Sequence, residues 1–200
     1  MPSTVEICNM ALGHTGVQQT IASLDEQSNE ARACKRFYTQ TVKEVLQKFN
    51  WPFATRYVLL AVVEEAPNVE WAYSYRYPTS CEKVRRVIPS DITVDDNYRD
   101  PFVVASDSSG KLIYSNQLTA MVEITFSVTD SLLFDSMFVG AVSWRLASLI
   151  APSLTGNNFK EVVTHTINGY KEAISAASTF AMNEGHVSTS PYSEIIQARE

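Results

Sequence analysis

The chain of 200 residues carries 22 acidic against 16 basic side chains, a net charge of −6, and 45% of its residues are hydrophobic. That length suits one domain, or a domain with an insertion, able to bury roughly 70% of its unfolded surface. The acidic balance and the scatter of the basic residues argue against nucleic-acid binding as its main business.

The cysteines, at 8, 34 and 81, are odd in number and far apart, with no CxxC. That fits a reducing intracellular compartment better than a disulfide scaffold. No basic and apolar leader opens the chain, so no signal peptide is expected. Ser3-Thr4-Val5-Glu6 has capping-box spacing. It predicts a short first helix with Val5, Cys8 and Leu12 on one face, stopping at Gly13. Residues 17–27 read as a polar connection anchored by Ile21 and Leu24. A long amphipathic helix follows from Ser28. Ala31, Cys34, Tyr38, Val42, Val45, Leu46 and Phe49 keep the i, i+3, i+4 rhythm. Pro52 disfavours helical geometry at Trp51 and lacks an N–H, so Trp51, Pro52 and Phe53 form the junction where helix gives way to sheet.

Residues 53–63, rich in β-branched and aromatic types, read as one strand. Trp71, Tyr73, Tyr75 and Tyr77 alternate with small or charged residues, which predicts four aromatics on one strand face. A short strand follows at 83–88, then an acidic loop at 89–101. Strands at 102–105 and 111–115 flank a turn over residues 106–110, and a strand at 121–128 completes the sheet. Short strands joined by hairpins imply antiparallel pairing. Asp130 and Ser131 can cap a third helix over 132–151, apolar nearly all round and therefore buried. It holds Asp135, Arg145 and serines at 136, 143 and 148, so a membrane span is not expected. Pro152 and Gly156 end it. Asn158 and Glu161 open a fourth helix to about Asn183, with Gly185 as its C-cap.

The reading is an α+β fold, a bundle of about four helices with an inserted antiparallel β-sheet region and an extended C-terminal arm. Residues 1–52 and 130–185 supply the bundle, 53–129 the β insertion and 186–200 the arm.

No catalytic, cofactor or metal site is expected. His14, His165 and His186 have no ligand neighbours at helical or hairpin spacing. GxSxG, P-loop and GxGxxG patterns are missing. Cys8 and Cys34 fall on apolar helix faces and can approach each other, but free cysteine behaves as a small hydrophobe. Glu64-Glu65 and Asp95-Asp96 are adjacent pairs, which point to opposite faces of a strand and make poor dyads. The acids of residues 91–100 lack the alternation and glycine of an EF-hand loop. The aromatic ladder could stack bases or sugars, yet core packing explains it equally and its surroundings are not basic. Arg145 needs a carboxylate partner, Asp135 or an acid of the fourth helix.

Several stretches have the order and spacing of a known group. They are EICNMALGHTG with its Asn9-x-Ala11-Leu12-Gly13 helix end, Ser23-Leu24-Asp25, Glu30-Ala31, and Trp51-x-Phe53-Ala54-x-Arg56. Further on come Glu70-Trp71-x-Tyr73-x-Tyr75-x-x-Pro78-x-x-Cys81 and Leu133-Phe134-Asp135-x-x-Phe138. In these the chain resembles phage head-to-tail adaptors of the tail tubular protein A type, up to about Ala151. The fourth helix carries no motif of that family. The resemblance implies a virion structural protein at the head-tail junction, assembled in the host cytoplasm. It implies a dodecameric ring between the portal protein and a tail nozzle or tail tubular B-type protein, with genomic DNA passing through the lumen without specific binding. It also implies that the arm reaches the portal; Tyr192, Ile195 and Ile196 would be its anchors. The alternatives are a virion-associated glycan or peptidoglycan hydrolase, using acids such as Glu64, Glu82 or Asp95, and a general nucleic-acid binder.

Overall fold

Helices from both ends of the chain pack together beside the β region that lies between them in sequence, giving, among the described residues, an α+β architecture of four helices and two antiparallel sheets. The computed structural model describes residues 2–89 and 100–184. Helix α1 (Thr4–His14) starts at the expected capping box. Ser3 Oγ accepts the Glu6 N–H at 3.3 Å, and Glu6 Oε2 accepts the Ser3 N–H at 2.6 Å. These reciprocal bonds satisfy two otherwise orphaned donors. The helix passes through Gly13, the expected stop. The left-handed turn falls at Gly16 (φ 79°), where the missing Cβ removes the strain.

Helix α2 (Asn29–Lys48) is capped by Ser28, whose Oγ accepts the Ala31 N–H at 3.2 Å. Ala31, Cys34, Val42, Val45 and Leu46 form its buried stripe, and Arg32, Lys35, Arg36 and Lys43 its exposed face. A 3₁₀ turn (Pro52–Ala54) then leads into β1 (Thr55–Leu59).

The expected single strand over 53–63 is two strands in two sheets. The Leu60 N–H still bonds Ala120 O at 2.9 Å and its side chain is buried, but the chain then leaves for β2 (Val62–Glu65). Residues 57–63 are an unbroken, mainly apolar run without alternation, so no pattern marks the crossing. The remaining strands are β3 (Tyr73–Arg76), β4 (Cys81–Pro89), β5 (Phe102–Asp107), β6 (Gly110–Ser115) and β7 (Ala120–Phe126). One sheet has the order β1-β7-β4 and the other β2-β3-β6-β5, antiparallel throughout. Tyr73, Tyr75 and Tyr77 join the β core, whereas Trp71 precedes the strand. The Trp71 N–H is held by Asn68 Oδ1 at 3.0 Å within a turn, which removes it from the ladder's alternation. The β5–β6 turn is tighter than expected, because Asp107 pairs with Gly110 and leaves two residues at the tip.

Asp130 caps a 3₁₀ turn (Ser131–Leu133) rather than a long helix. Phe134 interrupts with extended backbone and a buried ring. Asp135 then caps α3 (Ser136–Leu154), accepting the Phe138 N–H at 2.6 Å. α3 passes Pro152, which forgoes one backbone bond, and the chain turns at Gly156 (φ 55°). A 3₁₀ turn (Gly156–Asn158) opens directly into α4 (Phe159–Glu184). The Gly185 cap and the arm lie outside the described residues.

α3 packs against α1, α2 and α4 and is the central rod of the bundle. Its length and apolar composition would suffice to cross a membrane; here ten of its side chains, Phe138 and Ile150 among them, are buried. One core cluster joins Ile7, Leu46, Trp51, Phe134, Phe138 and Ala177. A second joins Cys8, Leu12, Ile21, Cys34, Leu146 and Ile150. The β region has its own, around Tyr75, Val87, Ile113, Val122 and Ile124.

Candidate assembly surfaces

Trp51, Pro52 and Phe53 sit where the bundle meets the sheets. Trp51 is fully buried, and its Nε1–H donates to Val45 O at 2.9 Å, inside the last turn of α2. Its ring meets Phe49 edge-on at 5.4 Å and Phe138 at 5.0 Å. Phe53 meets Phe138 at 5.0 Å and Phe134 at 5.9 Å. The Trp-Pro stop thus also locks α2 onto α3.

Arg85 completes the junction from the sheet side. Its Nη2 donates to Leu46 O at 3.0 Å and to Phe49 O, and its Nε to Thr125 Oγ1 at 2.7 Å. A cation among the last carbonyls of α2 suits the negative end of the helix dipole. Burial lowers its pKa, but guanidinium stays charged. Arg86 donates through Nε to Glu123, which also accepts from Asn50. A bulge between Val84 and Arg86 breaks the strand's alternation, so both arginines reach the β7 face that carries Glu123 and Thr125. Period-two reasoning places neighbours on opposite faces and misses this arrangement.

Among the described residues no group of three His, Cys, Asp or Glu side chains could hold a metal ion. His14 stacks on Trp144 at 3.7 Å, its Nε2 lies 3.1 Å from Ser143 Oγ, and His165 meets the same indole edge-on at 5.5 Å. Burial, then the charge of His165, lowers the pKa of His14. Cys8 and Cys34 meet in the core as free thiols. The hydrogen bond with Cys34, with burial, pushes the Cys8 thiol up. Of the acids weighed for hydrolysis, Glu64 stands exposed on β2 and Glu82 lines a groove. Asp95, most of the acidic loop 89–101, and the arm residues Tyr192, Ile195 and Ile196 lie outside the described residues.

That groove, of about 720 Å³, opens between α2, the start of β4, α3 and α4. Ile167 and Tyr170 give it half-buried apolar surface. Arg145 lies here, bound neither to Asp135 nor to an acid of α4 but to Glu44 of α2, through Nη2 at 2.8 Å and Nε at 2.9 Å. Asp135 is ten residues away, about 15 Å along the helix, and is occupied as a cap. Glu82 faces Lys43 at 4.0 Å and Gln47 at 3.4 Å. Lys48, Lys83 and Lys171 also line the groove, and none makes an ion pair among the described residues.

A second surface is the hairpin of β2 and β3. All four β2 residues are exposed, Val62 and Val63 at 42% and 48%, and Val69 beyond the tip projects fully. Glu64, Glu65 and Glu70 stand on the same hairpin without an ion pair among the described residues. The tip is ordered, since Asn68 Oδ1 accepts the N–H groups of Glu70 and Trp71 at 2.9 and 3.0 Å. The groove and the hairpin were not legible in sequence. Lys48, Lys83 and Lys171 come from three elements, and the apolar run 57–63 gives no sign that its second half is uncovered. Comparison with models of known protein families and with curated protein sequences finds no match.

Proposed function

We propose that this chain is a virion structural protein, a head-to-tail adaptor that forms a dodecameric ring between portal and tail nozzle and lines part of the DNA conduit. The observation that carries the reading is the exposed apolar surface at the edges of the second sheet, β2 with Val62 and Val63 and β5 with Val103 and Val104. Among the described residues β2 pairs on one side alone and exposes two adjacent valines along its length. Glu64, Glu65 and the bulge after Val62 blunt this edge against indiscriminate strand pairing, while its exposed valines suit burial in a specific assembly. The resemblance of its ordered motifs to adaptors of the tail tubular protein A type suggests the kind of assembly. The net charge of −6 suits a conduit, because a lumen that gripped phosphate would slow DNA passage.

On this reading the chain has no catalytic role, its arm engages the portal protein, and a tail tubular B-type protein docks on the far side. The test is mass and shape in solution, by light scattering and negative-stain imaging, with and without portal-bearing heads. A ring alone or on the portal is expected. A monomer indifferent to the portal overturns the reading, as does turnover of cell-wall glycan by the purified protein.

A further inference from the structure

We propose that neighbouring copies of this chain join by seating the acidic β2–β3 hairpin of one copy in the basic groove between α2, β4 and α4 of the next. The inference rests on the ring reading above and supplies its subunit contact.

Charge is the first ground. The hairpin offers the carboxylates of Glu64, Glu65 and Glu70, and the groove offers the ammonium groups of Lys48, Lys83 and Lys171. The other charges of the groove are already matched within the chain, Arg145 by Glu44 and Glu82 by Lys43. Three cations therefore converge on one concavity of a protein whose net charge is −6. Opposed patches of this kind set register and speed encounter.

Apolar fit is the second ground. Val62, Val63 and Val69 stand exposed beside the hairpin's acids, and Ile167 and Tyr170 lie beside the groove's lysines. The bulge after Val62 leaves Val62 with Glu65 on one face of β2 and Val63 with Glu64 on the other. The edge strand thus carries apolar surface beside charge on both faces, and a groove that receives the edge meets both. The hairpin is also preorganised: β3 holds β2 through the pairs Val62↔Tyr75, Glu64↔Ser74 and Glu65↔Tyr73, and Asn68 fixes the tip. Little ordering is left to oppose docking.

Symmetry is the third ground. Hairpin and groove are different patches of one chain, so their contact is heterologous. Repeated head to tail, such a contact closes into a ring where the rotation permits, which a self-complementary patch cannot do. An acidic segment of some other protein would meet the groove equally well by charge. The second copy is favoured because both complementary patches belong to this chain.

The test uses two charge-reversed proteins, neither touching the core. The first carries Glu64→Lys, Glu65→Lys and Glu70→Lys, the second Lys48→Glu, Lys83→Glu and Lys171→Glu. Each alone sets like charge against like at every subunit contact. We expect the concentration needed for assembly to rise at least about a hundredfold, given that like-charge juxtaposition is worth several kcal/mol. Mixed one to one, every hairpin again meets an opposite groove, in strict alternation. Rings of equal composition and even subunit number should return, read by native mass spectrometry. A control needs no variant: a zero-length carbodiimide should couple these glutamates to these lysines between copies of assembled wild-type protein.

Variants that assemble alone like wild type overturn the contact and leave the ring reading intact. So does a mixture that stays monomeric while each component keeps the wild-type melting curve, or wild-type rings without those cross-links. Wild-type protein that forms no ring, alone or on portal-bearing heads, overturns the ring reading and this inference together.

Discussion

Replacing Trp51 by alanine should remove the largest side chain fully buried at the junction of bundle and sheets. An indole buries up to about 250 Å², of which alanine retains a minor part. A loss of about 180 Å² at 25 cal/mol per Å² is about 4.5 kcal/mol, and a compact denatured state lowers this to about 3–4 kcal/mol. The edge-on contacts with Phe49 and Phe138 and the bond to the Val45 carbonyl add about 1 kcal/mol or more. Partial collapse of the site recovers some of this. A destabilisation of about 4 kcal/mol is therefore expected, a large share of a typical total stability of about 5–15 kcal/mol. Urea unfolding followed by far-ultraviolet circular dichroism reads it as a lower midpoint at unchanged slope. Trp51→Phe keeps most of the apolar surface and loses the N–H donor, so about 1–2 kcal/mol is expected. A loss under about 1 kcal/mol for Trp51→Ala would refute the junction as a core element. Equal losses for the two variants would refute the division into packing and hydrogen bond.

The helix contact α3–α4 depends on Gly169, because a Cβ there would lie 2.5 Å from Trp144 Cε3. Gly169→Ala should destabilise by about 1–3 kcal/mol through overpacking, against the gain of about 1 kcal/mol from helix propensity alone; a raised melting temperature would show that the ring moves aside freely. Arg85→Met should lower stability by about 2–3 kcal/mol, since Leu46 O and Phe49 O lose a charged donor, and faster amide exchange should appear first in the last turn of α2. Unfolding midpoints equal to wild type would count against the cap. For His14, burial places the folded-state pKa below 6.5, so folding favours the neutral ring and the unfolded chain binds the proton more readily. This contribution is whole above 6.5 and is lost as pH falls through the unfolded value toward the folded one. His14→Gln should flatten the decline in stability between about pH 7 and pH 5, and an unchanged slope would remove His14 as its source.

Much of the helical frame was legible because its signals are local. Ser3, Glu6 and Ser28 cap within three residues of what they bond, and the stripe of α2 follows from a repeat of 3.6. The Trp-Pro stop is equally local. Pattern fails where a contact spans the chain. Arg85 finds α2 across 36 and 39 residues and depends on a bulge that no alternation announces. Asp130 and Asp135 are both competent caps, and Phe134, whose ring is claimed by the core, decides that α3 begins at the second. The run at 57–63 is apolar throughout, so it shows neither where the chain changes sheets nor which valines stay uncovered. The surfaces offered here as a subunit contact are assembled from separated elements, which hides them from any window of sequence.

The position of α3 at the centre of the bundle bears on how the chain leaves the ribosome. α1 and α2 emerge before α3, yet part of the surface that covers Ile7, Cys8, Cys34 and Leu46 is supplied by residues beyond 136, among them Phe138, Val142, Leu146 and Ile150. Synthesis proceeds from the N-terminus at about 5–20 residues per second, so this apolar face waits several seconds for its lining. The β region needs no such delay, since its core is drawn from residues 58–126 alone. A nascent chain halted before α3 would thus present a closed pair of sheets attached to an open helical face, the species most exposed to holding chaperones and to premature self-association.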